Sequence, residues 1–298
     1  MTLPVVLALV AATVILSPIL VRAMDRKAGY PIALILAAAA VVLGREFPGV
    51  ADGQPLEWEV TWARDILGEG SAVSFALRAD GLSIFFALLA LVIGTVVMTY
   101  SAAYLPKRDG NTSFYTIMTA FTLSVLLLVL ANDTVLLFVG WELVSIASFL
   151  LIARSGSGGE AGSYRTLMLT FFGGLTLLAA LGVASISAGS TRLTDVLASD
   201  VWQSNPSLTT TVAILVAVSG FTKAAQFPFH FWLPEAMAAA TPVSAFLHAA
   251  AVVKAGVYLL LRFSAIFADV SAWNWLLLVV GLGTAIMSAL FALSLIHI

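Results

Sequence analysis

Long apolar stretches recur from one end of the chain to the other, and short polar segments separate them. Each stretch holds roughly 18 or more residues, which is enough for a helix to cross a bilayer. The pattern predicts an all-α polytopic membrane protein with about nine transmembrane helices. In chain order, the predicted spans cover residues 3–21, 30–47, 80–105, 114–131, 134–153, 165–188, 209–227, 243–262 and 275–298.

One polar segment, residues 48–79, breaks this pattern. Apolar and polar residues alternate over 56–62 and again over 73–77, with Gly68 and Gly70 between them. A period of two on either side of a glycine-containing turn is typical of a β-hairpin. We therefore expect a small hairpin outside the membrane, with an irregular loop as the alternative.

The composition agrees with a membrane protein, since 61% of the 298 residues are hydrophobic, 10% are charged and the mean hydropathy is +1.04. A soluble domain needs far more charge to cover its surface. The net charge of −2 and the lack of a basic patch give no indication of nucleic-acid binding. Without cysteine the chain forms no disulfide, thiolate metal site or iron–sulfur cluster, and no cofactor is predicted.

Basic residues set the predicted orientation. One set of alternate short loops is rich in Lys and Arg, whereas the other short loops hold mainly Arg192 and Arg262. The positive-inside rule places the first set in the cytoplasm, so the N-terminus and the hairpin lie outside a bacterial cytoplasmic membrane. The first apolar run, Leu3–Val21, has basic residues after it and none before it, which indicates a spanning helix and not a signal peptide. The basic set comprises Arg22, Arg26, Lys27, Lys107, Arg108, Arg154 and Arg165.

Three charged residues lie deep within predicted spans. Glu142 is near the middle of the fifth span, Lys223 lies inside the seventh, and Lys254 is near the middle of the eighth. Each costs about 2.5–3.5 kcal/mol at the centre of an isolated helix. These side chains are therefore expected to face the bundle interior, to pair with one another or to contact water. The structural alternatives are a static Glu142–Lys223 ion pair and a Lys254 side chain that reaches toward an interface.

The seventh span is predicted to be broken beside Lys223. Gly220 precedes this lysine by three residues and Pro228 follows it by five. Pro228 has no N–H to offer the carbonyl of Ala224, so backbone acceptors become free next to the lysine. Irregular backbone at membrane depth is tolerated where it is buried in protein or lines water, and discontinuous helices hold ion sites in transporters. A proline at the end of an ordinary helix would look much the same.

This combination of side chains suits proton transfer. Burial disfavours the charged form of an acid and of an amine alike, so a nearby charge can make either group take up or release a proton near neutral pH. Histidine titrates near neutrality, and His248 precedes Lys254 by six residues. Six residues turn a helix by about 240°, so a relay between the two needs water or a neighbouring helix. An ordinary core histidine is the alternative for His248.

Two further residues are accessory candidates. His230 lies between predicted spans in a run of phenylalanines, where ring packing is the alternative to a role in transfer. Asp133 directly precedes the fifth span, as Asp80 precedes the third and Thr241-Pro242 begins the eighth, and this placement is typical of helix capping.

Short motifs that include these residues are spread along the chain. They are Asp80-Gly81-Leu82-Ser83; Trp141-Glu142-Leu143 with Ser145, Ser148 and Phe149; Phe229-His230-Phe231-Trp232-Leu233-Pro234; Ala236-Met237; Thr241-Pro242-Val243-Ser244-Ala245; and His248 with Val253-Lys254-Ala255-Gly256-Val257-Tyr258. Together they resemble the antiporter-like proton-translocating subunits. This superfamily joins the Mrp-type cation/proton antiporters to the membrane arm of respiratory complex I and to membrane-bound hydrogenases. Lys254 together with the 229–234 motif looks most like the large A subunit of Mrp-type Na⁺/H⁺ antiporters.

The resemblance implies a fold of two inverted five-helix repeats, each with a broken helix. Residues 106–262, which hold predicted helices 4–8, would be the first repeat. Residues 1–105 would form an N-terminal unit of three helices with the hairpin at 48–79, and residues 263–298 would hold the ninth helix.

The matching motifs also imply roles for single residues. Glu142 would be the fifth-helix carboxylate, Lys223 the broken-helix lysine and Lys254 the next proton carrier. His248 would lie on the same hydrated path.

The sequence departs from the superfamily pattern at two places. Ala240 stands where a proline is usual, which removes no titratable group. After Phe291-Ala292-Leu293 the family continues toward a second repeat with a distal lysine, whereas this chain reads Ser294-Leu295-Ile296-His297-Ile298. The resemblance thus predicts an N-terminal fragment that does not complete a transmembrane pathway alone, with its last five residues as candidates for a non-native end.

The predicted function is that of a secondary transporter subunit and not of an enzyme. Proton transfer along Glu142, Lys223, His248 and Lys254 would be coupled to export of Na⁺ or a similar cation, with the other membrane subunits of an antiporter complex and the lipid bilayer as partners. The same half-channel in a redox-driven quinone oxidoreductase or hydrogenase is the alternative. A purely structural scaffold is a third hypothesis, but it does not explain why three charged residues are kept at membrane depth, where each is energetically unfavourable.

Overall fold

A computed structural model of the protein describes residues 1–64, 72–107, 110–154 and 159–295. Over these residues the chain is mostly helical, with one two-stranded sheet. The elements are α1 Thr2–Met24, α2 Gly29–Gly44, α3 Phe47–Ala51, β1 Leu56–Arg64, β2 Ala72–Ala79, α4 Gly81–Tyr104, α5 Asn111–Leu130, α6 Thr134–Ala153, α7 Glu160–Ala188, α8 Leu193–Ala198, α9 Val201–Ser204, α10 Pro206–Lys223, α11 Trp232–Ala236, α12 Thr241–Ala249, α13 Val252–Ser264 and α14 Ser271–Leu295.

Seven segments of the described chain are long and apolar enough to cross a membrane, by length and composition. One of them, Thr2–Gly44, contains α1 and α2 with a 3₁₀ turn at Asp25–Ala28 between them, and another, Thr241–Ser264, contains α12 and α13. The remaining five correspond to α4, α5, α6, α7 and α14. The prediction of a multi-pass helical membrane protein is therefore confirmed.

The helices pack mainly on their neighbours in the chain. α1 contacts α2 and α5, and α2 contacts α4. A second row runs from α5 through α6 and α7 to α10, which also contacts α13 and α14. α5 is the most enclosed of the seven apolar segments, whereas α14 is largely exposed. α10, which ends at one of the candidate residues, thus packs on both α7 and α13.

Two of the predicted helix caps are present. The carboxylate of Asp80 accepts the N–H of Ser83 at 3.0 Å, and that of Asp133 accepts the N–H groups of Val135 and Leu136 at 2.8 and 3.1 Å. The predicted cap at Thr241 is wrong, because Thr241 is already the first residue of α12 and Ala240 occupies the cap position without a side-chain bond.

The predicted pair of strands is present as an antiparallel sheet. β1 and β2 pair in a register that joins Leu56 to Ala79 and Val60 to Phe75. The sheet is fixed to the helices, since the N–H of Asn132, between α5 and α6, donates to the carbonyl of Ala76 at 2.8 Å. The segment 65–71, with Gly68 and Gly70, lies outside the described residues. We call the end of the bundle that carries this sheet the hairpin end.

Most of the predicted cytoplasmic basic residues gather at the opposite end. Arg26 donates to the carbonyl of Leu105 at 3.0 Å, and Arg154 donates to the carbonyl of Gly110 at 2.9 Å. Arg165, near the start of α7, forms an ion pair with Glu235. Arg108 lies outside the described residues. The helix ends that the sequence groups on one side of a membrane therefore meet in the folded chain.

The structure differs from the predicted helices in the seventh and eighth spans. The seventh was expected to continue to residue 227, but α10 ends at Lys223 and Ala225 takes a positive φ of 51°. The eighth was expected to be one helix over 243–262, but it is divided into α12 and α13 at Ala250 and Ala251. The end of α10 agrees with the break that the sequence predicted beside Lys223 from Pro228, although the apolar pattern itself continues to residue 227. The break at Ala250 and Ala251 was not predicted, because alanine favours helix. Residues 296–298 of the ninth predicted span lie outside the described residues.

Candidate functional site

Lys223 lies at the C-terminal end of α10 and is completely buried. The helix ends there with an N–H bond from Ala224 to the carbonyl of Gly220 at 2.8 Å. The indole N–H of Trp232, from the 229–234 motif, donates to the carbonyl of Thr222 at 2.9 Å. One carbonyl freed at the break is thus satisfied, while the partial negative charge of the helix end favours a cation at this position.

The contacts of the Lys223 ammonium are with Trp141 of α6. Its Nζ atom donates to the backbone carbonyl of Trp141 and lies 3.9 Å from the centroid of the Trp141 ring. A cation over an indole ring in a desolvated place is stabilised by about 2 kcal/mol or more. No ion pair within 4.0 Å involves Lys223 in the part of the chain that the structure describes.

Glu142 directly follows Trp141 and faces α7. Its side chain is half-buried, and the Oε1 atom is buried without a hydrogen-bond partner among the described residues. A Cβ added to Gly174 would overlap Oε1 and lie 2.9 Å from the carboxyl carbon, so this glycine makes room for the carboxylate. Glu142 and Lys223 attract each other electrostatically, yet they do not form a contact ion pair.

His248 and Lys254 lie on either side of the break between α12 and α13. Both ring nitrogens of the half-buried His248 lack a partner among the described residues, although buried polar groups are normally hydrogen-bonded. Lys254 is half-buried, two residues after the start of α13. Because the break intervenes, the two residues do not have the angular relationship of one continuous helix.

Glycines bring α13 against the end of α10. A Cβ on Gly256 would lie 2.5 Å from both the backbone N of Ala224 and the carbonyl oxygen of Gly220. A Cβ on Gly220 would lie 2.6 Å from the Leu260 side chain. Gly220 thus remains helical and serves close packing, whereas the helix is broken at Ala225, which has a positive φ, and Pro228 follows the break.

The structure places the two accessory candidates apart from this group. The ring of His230 packs on Phe227 and Phe231, with centroid distances of 6.0 and 4.3 Å. Asp133 caps α6 at the hairpin end; burial raises the pKa of its carboxyl group, and bonds from Thr191 and from backbone N–H groups oppose the rise. Asp133 therefore joins chain segments at a helix start, and His230 belongs to an aromatic cluster.

Sequence reasoning missed three features near these residues. Trp141 was noted only as part of a motif, and no signal separates a tryptophan under a cation from one that packs in a core. Gly174 carries no signal either, since glycine is common in membrane helices. The third is the ion pair of Asp80 with Arg262, at 2.5 and 3.0 Å, because Asp80 was interpreted as a cap and Arg262 as a loop charge.

Known proteins resemble this chain in sequence and in fold. Residues 131–298 match the family "NADH:quinone oxidoreductase/Mrp antiporter, TM", and residues 67–115 match the N-terminus of chain 5 of NADH-ubiquinone oxidoreductase (complex I). Curated relatives include the putative antiporter subunit mnhA2 of Staphylococcus aureus strains JH9 and MRSA252, which are 37% and 38% identical over 292 residues. These matches cover 96% of this chain and 36% of each relative.

A solved structure is also similar. A chain in the structure of the Mrp complex from Dietzia sp. DQ12-45-1b is 44% identical and superposes with a TM-score of 0.92. The match covers 98% of this chain and 31% of that chain. The chain thus spans about a third of the length of the relatives that it matches.

Proposed function

The chain belongs to the NADH:quinone oxidoreductase/Mrp antiporter transmembrane family, and from this premise we propose that it is the N-terminal part of the large A subunit of an Mrp-type cation/proton antiporter. Protons would move along Glu142, Lys223, His248 and Lys254, and their movement would be coupled to export of Na⁺ or a similar cation. The other membrane subunits of the complex would be its partners.

The observation that carries the proposal is the environment of Lys223. A buried ammonium would normally need a contact carboxylate. Lys223 instead rests on a ring and a backbone carbonyl, while Glu142 lies near enough to attract it. A small movement or one water can therefore change its partner, and a change of partner is what makes a lysine take up or release a proton.

The remaining relay residues supply the next groups on the path. His248 has two ring nitrogens without a partner among the described residues, and one of them can accept a proton while the other donates. Lys254 has no ion pair within 4.0 Å in the described chain. Unpaired polar atoms at this depth require ordered water, which would connect Lys223 to both residues.

The proposed topology has nine spans. The 43-residue segment Thr2–Gly44 would be about 65 Å long as one helix, which is twice the hydrocarbon thickness, so α1 and α2 are separate passes. α10 adds another pass of 18 residues, about 27 Å. The basic end would face the cytoplasm of a bacterium, with the N-terminus and the hairpin outside.

The proposed division of the chain into three units is supported by the contacts between its helices. Residues 106–262 would form a five-helix repeat that contains all four relay residues. Residues 1–105 would flank it with the N-terminal helices and the sheet, and residues 263–298 would hold the ninth span.

The decisive experiment is Lys223→Ala in the assembled antiporter complex. Cation-driven proton movement in everted membrane vesicles is expected to be almost abolished, because the central proton carrier is lost, while the complex still assembles. Lys27→Ala is the matched control, since the Lys27 side chain is exposed in the 3₁₀ turn at the basic end and its loss is expected to leave exchange unchanged. Undiminished antiport in Lys223→Ala would remove the basis of the proposal.

A redox-driven pump is the second candidate, because residues 67–115 match the N-terminus of a complex I chain. The names of the curated relatives and of the solved complex support an antiporter instead. Purification of the complex in mild detergent separates the two candidates, because flavin- or quinone-reactive subunits would accompany a redox pump alone.

A further inference from the structure

At the hairpin end, one guanidinium joins α13 to α4. Arg262 donates to both carboxylate oxygens of Asp80, at 2.5 and 3.0 Å, and to the hydroxyl of Ser83 at 2.6 Å. Its Nε donates to the hydroxyl of Tyr258 at 3.1 Å. The side chains of Arg262 and Asp80 are 13% and 26% exposed and Tyr258 is fully buried, so the cluster is largely shielded from solvent.

This cluster lies in line with Lys254. Lys254, Tyr258 and Arg262 follow one another at intervals of four residues along α13, which keeps them on one face of the helix. Arg262 is about 12 Å beyond Lys254 along the axis. On its outer side Arg262 borders a cavity of about 280 Å³, which is also lined by Asp80 and Ser83.

Arg262, Tyr258 and Asp80 are each held in a fixed protonation state or a fixed hydrogen bond at neutral pH, and Ser83 accepts a hydrogen bond from the guanidinium. A guanidinium does not lose its proton in proteins. The Tyr258 hydroxyl donates to the backbone carbonyl of Val129 at 2.9 Å, and the ring packs edge-on against Phe86. Burial alone would raise the pKa of Asp80, but the bonds and charge of Arg262 lower it to about 2, so Asp80 stays ionised.

The neighbouring charged groups are also paired, and one of them is paired with the cluster itself. Arg78 lies 4.0 Å from Asp80 and forms a second ion pair with Glu57. Arg192 pairs with Glu57 and with Glu59. The hydrogen bond that Tyr258 donates ends the chain from Arg262 at a backbone carbonyl.

We propose that Arg262, held by Asp80 and Tyr258, is a proton seal: it closes the face of α13 that would otherwise connect the hairpin-end cavity to Lys254. This role rests on the proposed function, since a seal matters only where Lys254 carries protons. Arg262 is a positioning residue here and does not itself take part in transfer. A simple structural tie between α4 and α13 is the competing role.

The test is passive proton flux through the assembled complex in liposomes. An imposed pH difference is followed with an internal pH dye, without a cation gradient and with the membrane potential clamped. Arg262→Met is expected to raise the rate about tenfold, equivalent to a barrier lowered by about 1.4 kcal/mol. Arg192→Met is the matched control, because it removes a hairpin-end arginine that pairs with Glu57 and Glu59 and leaves the bonds of Arg262 and Asp80 in place, and its rate is expected to equal that of the wild type.

Two further variants separate a seal from a structural tie. Lys254→Met in the Arg262→Met background is expected to restore the wild-type rate, since the leak passes through Lys254. The charge swap D80R/R262D retains an ion pair between α4 and α13 but places a titratable carboxylate on the α13 face, so its leak is expected to stay high. A leak that survives Lys254→Met, or a swap that restores the wild-type rate, would overturn the seal.

Tyr258→Phe keeps the test decisive if Arg262→Met does not assemble. It conserves the ring and frees both Arg262 Nε and the Val129 carbonyl for water, so a faster proton flux is expected. A wild-type rate in Tyr258→Phe would also overturn the proposal. Failure of the proposed function would be seen separately, as absence of cation-driven proton exchange by the wild-type complex.

Discussion

The Lys223 ammonium gains much of its stabilisation from a single aromatic ring. Its other contact is with the backbone carbonyl of Trp141, which survives any substitution of that side chain. The ring lies 3.9 Å below Nζ, and the side chain of Trp141 is fully buried. The chemistry of Lys223 should therefore depend on the Trp141 side chain as well as on Glu142.

Trp141→Leu should weaken proton binding at Lys223. Loss of about 2 kcal/mol of cation–π stabilisation corresponds to a shift of about one pH unit or more. The ammonium form is the one destabilised, so the pH profile of antiport is expected to move toward lower pH. Trp141→Phe, which keeps an aromatic face, should give a smaller shift in the same vesicle assay. An unmoved profile for the leucine variant, with normal assembly, would mean that the ring only fills space.

Gly174→Ala should displace the Glu142 carboxylate without unfolding the protein. The added Cβ would overlap the end of a flexible side chain, which can swing away at little cost. Antiport is expected to fall strongly while the amount of assembled complex stays normal. Gly182→Ala is the matched control on α7, since nothing lies within 4 Å of a Cβ there. Equal antiport in the two variants would show that the position of the carboxylate does not matter.

Single residues could be predicted from the sequence when their own chemistry was unusual for their place. Glu142, Lys223 and Lys254 stand out because a charge in an apolar span is costly wherever its partner lies. Trp141 and Gly174 could not be predicted, because their importance arises from what α10 and α6 bring against them. The spacing of four residues between Tyr258 and Arg262 was visible in the sequence. The ion-pair partner of Arg262, Asp80, is 182 positions away along the chain and could not be predicted.

At the scale of elements, the end of α10 packs against the first turns of α13, so the two helices meet next to the breaks in their backbones. α10 ends at Lys223, and α13 starts after the break at Ala250 and Ala251. The sequence predicted the neighbourhood of the first break from Pro228. It could not predict the second, since its residues are good helix formers and the break depends on packing.

Gly256→Ala should destabilise the contact between these two elements. The added Cβ would lie 2.5 Å from two backbone atoms of α10, and backbone cannot move aside as a side chain can. Overpacking of this kind costs about 1–3 kcal/mol, so a lower Tm of the purified complex is expected. Gly281→Ala on α14, which meets nothing within 4 Å, should leave the Tm unchanged. A Tm equal to that of the control would mean that α13 and α10 are free to move apart.

At the scale of the whole molecule, charge is divided between two ends that differ in chemistry. One end joins its basic side chains mainly to backbone carbonyls, as Arg26 and Arg154 do. The hairpin end joins them to carboxylates, as in the Asp80–Arg262 pair. The loop charges in the sequence predicted that most basic residues gather at one end. The ion pairs at the hairpin end could be identified only from the folded structure.

The orientation of these ends can be measured with single cysteines in a complex freed of any native cysteine, since these 298 residues contribute none. Val60→Cys places one thiol on β1, where the native side chain is 49% exposed, and Lys107→Cys places one at the basic end. A membrane-impermeant maleimide applied to intact cells is expected to label Val60→Cys and to leave Lys107→Cys unlabelled until the membrane is permeabilised. The physical reason is the cost of moving clustered basic residues across the membrane during insertion, which keeps that end in the cytoplasm. The reverse labelling pattern would mean that the orientation is the opposite of the proposed one, with the seal around Arg262 on the cytoplasmic side.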